Sequence, residues 1–437
     1  MGHRPGQKRK FSAGTKFMLG LLAVVLCCSA VVLGRLSSGA TVDLGKLQMS
    51  ILDLQETFSP DSGITAEETR SPGQNDEEQK AVMTAKPAAA EKAQAPETKN
   101  AAYTLTIGGS ISLSGEVRKN SWNADAKMTD YSDIMMLLNP YVRADVSCVF
   151  LENILSDEHK ANDNVAPAAA ASLLKEVGFN IAACGFSQAY AAGKTGIQAT
   201  LNALNEQQIQ AAGIGMAEND AFVTMNSDGV KTTFLQYTDT IPAKTRKSMT
   251  KDGTDGLIPA AEISRITKDI AAARTQGAEA VIVLLNWGKT GKDPDRAQKQ
   301  LAEEIAQAGA DLIIGNGSHV PQTAEYITGS NGKNVLCIWS LGTLLGGDRA
   351  NIKRVSGYLL HVTVQSDGQG GAEILHPEYT PVYTWKYKQD GRYYYHCIAS
   401  NGPVPDGMDN DQRKKMADSA QAVENALQGS PVTERRQ

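Results

Sequence analysis

From Tyr103 onward, short apolar runs alternate with mixed polar stretches. The run 146–151, Val-Ser-Cys-Val-Phe-Leu, is almost fully apolar, and 280–285 carries no charge. Short continuous runs of this kind are strands buried on both faces. The same pattern predicts strands over 104–107, 181–184, 311–314, 336–339 and 357–365. Helices are expected over 167–177, 196–206, 263–275 and 295–308. Pro167 opens the first of these, and Gly309 ends the last, as helix boundaries favour. Segments 221–225 and 232–237, joined through Asn226-Ser-Asp-Gly229, read as a hairpin. A short helix over 131–138 should stop at Pro140. The charged stretch 244–255 reads as an exposed excursion, and the Tyr-rich stretch 378–398 as strands packed on the main body. Apolar strands alternating with helices predict a layered α/β fold, with sheets covered on both sides.

Before that body the pattern changes twice. Residues 17–34 form eighteen positions without a charge, bracketed by Lys16 and Arg35. As a helix this run is about 27 Å long, near the thickness of a bilayer core. It is therefore expected to be an uncleaved transmembrane signal anchor. Residues 1–16 form a basic segment, placed in the cytoplasm by the positive-inside rule. The competing reading is a signal peptide cleaved near Ser38-Gly39-Ala40, which would release a secreted protein. Residues 35–102 read as an extracellular linker. Leu44, Leu47, Ile51 and Leu54 give it a short amphipathic helix near 42–55, either unpartnered or the seam of a weak homodimer through 44–54. The rest of the linker is rich in Ala, Glu, Lys, Gln, Pro and Thr, the composition of a solvated tether. The folded domain is expected over 103–400. A polar tail follows over 401–437, with a terminal helix at 409–427 and a frayed end.

The net charge of the 437 residues is −5. Arg4, Lys8, Arg9, Lys10 and Lys16 put +5 in the first segment, so the remainder carries −10. That balance argues against a general nucleic-acid binder. Cys27 and Cys28 lie in the membrane run, and Leu26 before them does not suit lipoprotein processing. Cys148, Cys184, Cys337 and Cys397 are expected as buried free thiols, with no CxxC spacing for a thiolate metal site. Only six histidines are present, which leaves little material for an imidazole-rich centre.

In α/β sheets, ligands bind beyond the carboxyl ends of the strands. Those ends carry Gly108-Gly109-Ser110, Glu152-Asn153, Gly185-Phe-Ser187-Gln188, Asn286-Trp287-Gly288, Gly315-Asn316-Gly-Ser-His319 and Ser340-Leu-Gly-Thr343. Ser187 lacks an adjacent base, since Gln188 cannot be one. Asn316, Gly317 and Ser318 form either an anion-binding nest or an ordinary turn. His319 either caps its own loop or contacts a ligand. Glu152 either pairs with a neighbouring amide or base or meets a ligand. Trp287 is either core or cleft wall on one reading, or a stacking platform on the other.

Over 103–364 these pieces, in this order, resemble the CapA family, the poly-gamma-glutamate capsule biosynthesis proteins of the calcineurin-like metallophosphatase fold. The resemblance rests on Gly178-Phe-Asn-Ile-Ala-Ala-Cys-Gly-Phe-Ser-Gln-Ala-Tyr-Ala-Ala-Gly193. It rests further on Asn286-Trp-Gly288 at the family's His-Trp-Gly. Gly309-Ala-Asp-Leu-Ile-Ile-Gly-Asn-Gly-Ser-His-Val320 matches Gly-Ala-Asp-Leu-Ile-Ile-Gly-His-His-Pro-His-Val. Ser340-Leu-Gly-Thr343 matches Ser-Leu-Gly-Asn. The resemblance implies a layered α/β/β/α metallophosphatase-like sandwich and a bacterial envelope role.

The departures from that pattern fall on the family's ligands. Gly109 replaces an Asp, and Phe150-Leu-Glu152 replaces Asn-Leu-Glu. Phe186-Ser187-Gln188 replaces Asn-Asn-His, and Ala191 replaces Asp. Asn286 and Asn316 replace His, and Thr343 replaces Asn. A two-metal phosphoesterase needs several anionic or imidazole ligands, and amides are poor substitutes. The expected vestigial pocket is Gly109, Glu152, Ser187, Gln188, Asn286, Trp287, Asn316 and His319. No catalytic residue and no cofactor are expected in it; a single Mg, Mn or Ca ion held by Glu152 and His319 is the alternative. The expected function is a membrane-anchored, extracytoplasmic, non-catalytic protein of capsular-polymer biosynthesis, binding an envelope polymer or polymer-assembly proteins. The alternative is an active phosphoesterase or polymer-end transferase with a remodelled site.

Overall fold

The structure, a computed structural model, describes residues 101–437 apart from 114, 124–127, 132, 218–219 and 437. The expected anchor at 17–34, the linker before Ala101 and the 42–55 helix lie outside the described residues. No helix among the described residues is long and apolar enough to cross a membrane.

Two sheets form the centre. The first contains β1 (Ala102–Ile111), β2 (Val146–Leu151), β3 (Ile181–Ala183) and β4 (Gln210–Ala212), all parallel in that order. The second contains β5 (Phe222–Ser227), β6 (Val230–Thr238), β7 (Ala280–Asn286), β8 (Leu312–Asn316), β9 (Ala324–Thr328) and β10 (Asn334–Ile338). Within it β6, β7, β8 and β10 run parallel, and antiparallel β5 and β9 close its edges. After short β11 (Thr343–Leu345), the chain returns to the first sheet. There β12 (Ser356–Ser366), β13 (Ala372–Gln389) and β14 (Arg392–Ala399) extend it antiparallel beyond β1.

Side-chain alternation along the central strands feeds opposite cores. Leu105, Ile107, Cys148 and Phe150 of the first sheet meet Phe234, Ile282, Leu284 and Ile314 of the second in one apolar layer. Val149 and Leu151 face outward onto α1 (Ala170–Val177) and α2 (Gly193–Glu206). On the far side, Val281, Val283 and Ile313 pack on α4 (Ile263–Thr275) and α5 (Arg296–Ala308). Helix, sheet, sheet and helix thus form four layers. Every residue of β2 and β7 is buried, as the unbroken apolar runs require. Cys148, Cys184, Cys337 and Cys397 are buried free thiols.

Three local expectations differ from the structure. Pro140 does not stop a helix; it sits in the first turn of Asn139–Val142, where its missing N–H costs nothing. The segment 244–255 is largely exposed as expected but is not irregular, because Ala243–Asp252 forms helix α3, ended by Gly253 at φ +63° and pinned by buried Met249. The stretch 401–437 is not a free tail. Its helix α6 (Asn410–Leu427), started by an Asp409–Gln412 capping box, buries Val423 and Leu427 in the intersheet core. Beyond it, β15 (Thr433–Glu434) pairs with β13, so the end is held rather than frayed.

Candidate functional site

The carboxyl ends of the parallel strands from both sheets meet over one small cavity of about 310 Å³. Glu152 follows β2 and enters from the first sheet, its N–H donating to the Ile111 carbonyl at 2.9 Å. Asn286 ends β7 and enters from the second. Its Nδ2 donates to Glu152 Oε1 at 3.2 Å, and its Oδ1 accepts from Thr240 Oγ1 at 2.8 Å. His319 Nδ1 lies 3.4 Å from Glu152 Oε2 and 3.5 Å from Ser110 Oγ. Phe186 and Ser187 complete the wall, and Lys289 stands at the mouth.

Glu152 is buried. Burial pushes its carboxyl up, against the pull of His319, the Asn286 hydrogen bond and the more distant Arg354. His319 occupies the left-handed region at φ +56°, uncommon for a residue with a β-carbon. Its loop is tied down from both sides. Thr343 Oγ1 donates to the His319 carbonyl at 3.1 Å, and Arg354 Nη1 donates to the Ser318 carbonyl at 3.1 Å.

The remaining sequence candidates are placed elsewhere. Trp287 is core: it is 1% exposed, stacks on Trp339 at 5.5 Å, and donates its Nε1–H to the Trp339 carbonyl at 3.1 Å. Asn316 is fully buried between the sheets. With its amide oriented to match its neighbours, it accepts from the Ser110 N–H at 3.1 Å and donates to the Gly342 carbonyl at 3.2 Å. Gln188 does not line the cavity, and its carbonyl accepts from the Ala191 N–H in a turn. No hydrogen bond joins Ser187 to His319 among the described residues.

Two positions where the resemblance calls for ligands are sealed by backbone. Gly109 is the bulge residue of β1, where the pairing with β2 skips from Gly108 to Ser110. A β-carbon on Gly109 would stand 2.3 Å from the Gly342 carbonyl oxygen. Gly317 has φ +111°, and a β-carbon there would stand 2.7 Å from the Trp287 carbonyl oxygen. A carboxylate at 109 or an imidazole at 317 does not fit this backbone. Among the described residues, no group of three or more His, Cys, Asp or Glu is arranged to hold a metal ion. Glu152, one amide and one imidazole do not fit a binuclear cation centre.

Sequence reasoning missed Thr240, Arg354 and Gln236. Gln236 on β6 both donates to and accepts from the Gly185 backbone, at 3.0 Å each way, and so fixes the loop that carries Phe186 and Ser187. Its position inside an apolar strand was the available signal, since a buried amide needs partners. Thr240 lies two residues beyond its strand and carried no motif.

A four-layer α/β/β/α sandwich with its polar cleft at the strand ends is the class of protein these observations define. The bacterial capsule synthesis protein PGA_cap family matches residues 104–347, more than half of the chain, and the chain belongs to that family. It is 25% identical over 260 residues to the capsule biosynthesis protein CapA of Bacillus anthracis, covering 56% of this chain and 60% of that one. It is 26% identical over 206 residues to the PGA biosynthesis protein CapA of Bacillus subtilis, covering 46% and 51%. The match thus spans under two thirds of either relative. Among solved structures it is similar to a phosphatase from Mycoplasma pneumoniae, at 14% identity and TM-score 0.38 over 65% of this chain and 94% of that one. It is also similar to the calcineurin-like phosphoesterase YfkN of Bacillus subtilis, at 9% identity and TM-score 0.38 over 75% and 98%.

Proposed function

We propose that this chain is a membrane-anchored, extracytoplasmic member of the capsule synthesis family that binds an envelope polymer of the poly-gamma-glutamate kind and does not hydrolyse it. The observation that carries this reading is the closed backbone at Gly109, where a β-carbon would meet the Gly342 carbonyl oxygen at 2.3 Å. A carboxylate at 109 has no room there, so the position where the resembled family has an Asp supplies no anionic ligand. The Glu152 carboxylate also has its partners within the protein, in the Asn286 amide and the His319 ring.

The test uses the purified full-length chain. Elemental analysis after incubation with Mn is expected to find less than stoichiometric metal, and phosphomonoester and phosphodiester substrates are expected to remain uncleaved. Stoichiometric metal together with hydrolysis abolished by His319→Ala would establish the remodelled enzyme instead. Binding is read separately, by co-sedimentation with poly-glutamate.

A further inference from the structure

Helix α3 (Ala243–Asp252) concentrates positive charge on a chain whose net charge is −5. It carries Lys244, Arg246, Lys247 and Lys251 within ten residues. Lys244, Lys247 and Lys251 are exposed, and their i, i+3, i+7 spacing puts them on one face. No ion pair engages these three among the described residues. They border a concavity of about 830 Å³ that also takes in Ser248 and Thr250.

The lead-in to this helix borders the cleft: Thr240 lines the cavity, and the next residue, Ile241, lines the concavity. Asp239, four residues before the helix, accepts from the Gly288 N–H, and the next residue, Lys289, lines the cavity beside Glu152. The Asp239 N–H donates to the Asn286 carbonyl at 3.2 Å, which ties this lead-in to the strand end that carries Asn286.

We infer that the Lys244–Lys247–Lys251 face is the docking track for a linear anionic polymer on its way to the Glu152–His319 cleft. The inference rests on the polymer-binding reading above and assigns it a surface. Charge complementarity selects the occupant. Successive lysine positions lie about 4.5 and about 6 Å apart along the helix axis, a ladder that suits repeated anions on a flexible chain. Lysine provides point charges without the fixed fork of arginine, so it tolerates register shifts along a repeating polymer. A membrane surface suits the helix less. An interfacial helix needs an exposed apolar face, and the large apolar side chain of α3, Met249, is buried in the protein at 2% exposure.

The experiment measures binding of fluorescent poly-glutamate to the full-length chain at increasing salt. Neutral dextran and phosphatidylglycerol vesicles serve as the other probes. Lys244→Glu, Lys247→Glu and Lys251→Glu together are expected to weaken poly-glutamate binding about tenfold or more and to flatten its salt dependence. The matching Gln set is expected to fall between this variant and the native chain, and it covers any folding fault of the reversal. Lys194→Glu, Lys268→Glu and Lys299→Glu make the same change in net charge away from α3, and should leave affinity within about twofold. Equal losses in both sets, or none in the α3 set, would overturn the track while leaving polymer binding intact. A native chain that binds no poly-glutamate would remove the polymer-binding reading itself. Vesicle binding with the same lysine dependence would assign the face to a membrane and overturn the inference.

Discussion

The carbonyl oxygen of Gly342 stands 2.3 Å from the point that a β-carbon on Gly109 would occupy. The same carbonyl accepts from the Ser110 N–H at 3.0 Å and, with the Asn316 amide so oriented, from that amide at 3.2 Å. Restoring the family's carboxylate by Gly109→Asp must therefore displace backbone that holds β1 to the 340–343 loop. The expected cost is on the order of 3 kcal/mol, the range for overpacking combined with a broken buried network. No gain in bound metal should accompany it. Urea unfolding with metal analysis of the variant checks both, and an undiminished midpoint would show that the bulge opens freely.

Glu152 and His361 give stability opposite slopes with pH. His361 is buried between Thr106 Oγ1 at 3.0 Å and Thr380 Oγ1 at 2.9 Å, and burial, with Arg435 adding, pushes it from 6.5 down to about 3. The unfolded chain therefore binds more protons there. Its contribution is present above pH 6.5 and is lost as pH falls toward about 3. Burial moves Glu152 upward from 4.5, so its contribution is full below that value and is lost as pH rises through the raised one. His361→Gln should flatten the acid loss of stability. Glu152→Gln should hold or raise stability near neutrality and lose that advantage in acid. Unfolding midpoints across the acid-to-neutral range decide the matter; parallel profiles for all three proteins would refute both assignments.

Trp287 is the residue of the His-Trp-Gly-like motif most easily taken for a ligand platform. Its ring is instead stacked on Trp339 within the core of the second sheet. Trp287→Ala is expected to cost about 3–5 kcal/mol, as large aromatic truncations in cores do. Trp287→Phe should cost less, and should leave poly-glutamate affinity unchanged. A Phe variant with native stability and weakened polymer binding would return the ring to the cleft.

The layered fold was legible because its signal is local. Buried parallel strands must be apolar throughout, and 146–151 and 280–285 are. Helix α3 was not legible. Its polar composition hides the single buried Met249, and one anchoring residue sets no period. In 401–437 the helix expected over 409–427 is present as α6, but its docking was not legible: α6 is mostly solvated, and only tertiary packing shows that Val423 and Leu427 enter the core. At the cleft, Glu152, Ser187, Asn286 and His319 were found through strand ends and motif order, and they do converge. Gln188, Trp287 and Asn316 occupied the same motifs yet point away. A motif fixes a position along the backbone, whereas side-chain direction depends on strand register and on the neighbouring sheet.

By itself the sequence determined the alternation of strands and helices, the family and the scarcity of imidazoles, since these depend on residue type and order. Tertiary structure alone decided what stands at the positions where the resemblance calls for ligands. Gly109 and Gly317 could have left open space that a cation and water refill. Instead the carbonyls of Gly342 and Trp287, remote in sequence from the glycines they approach, close on them. A glycine in a sequence records only that no β-carbon is present; what stands where that atom would be is set by chain segments that folding brings there.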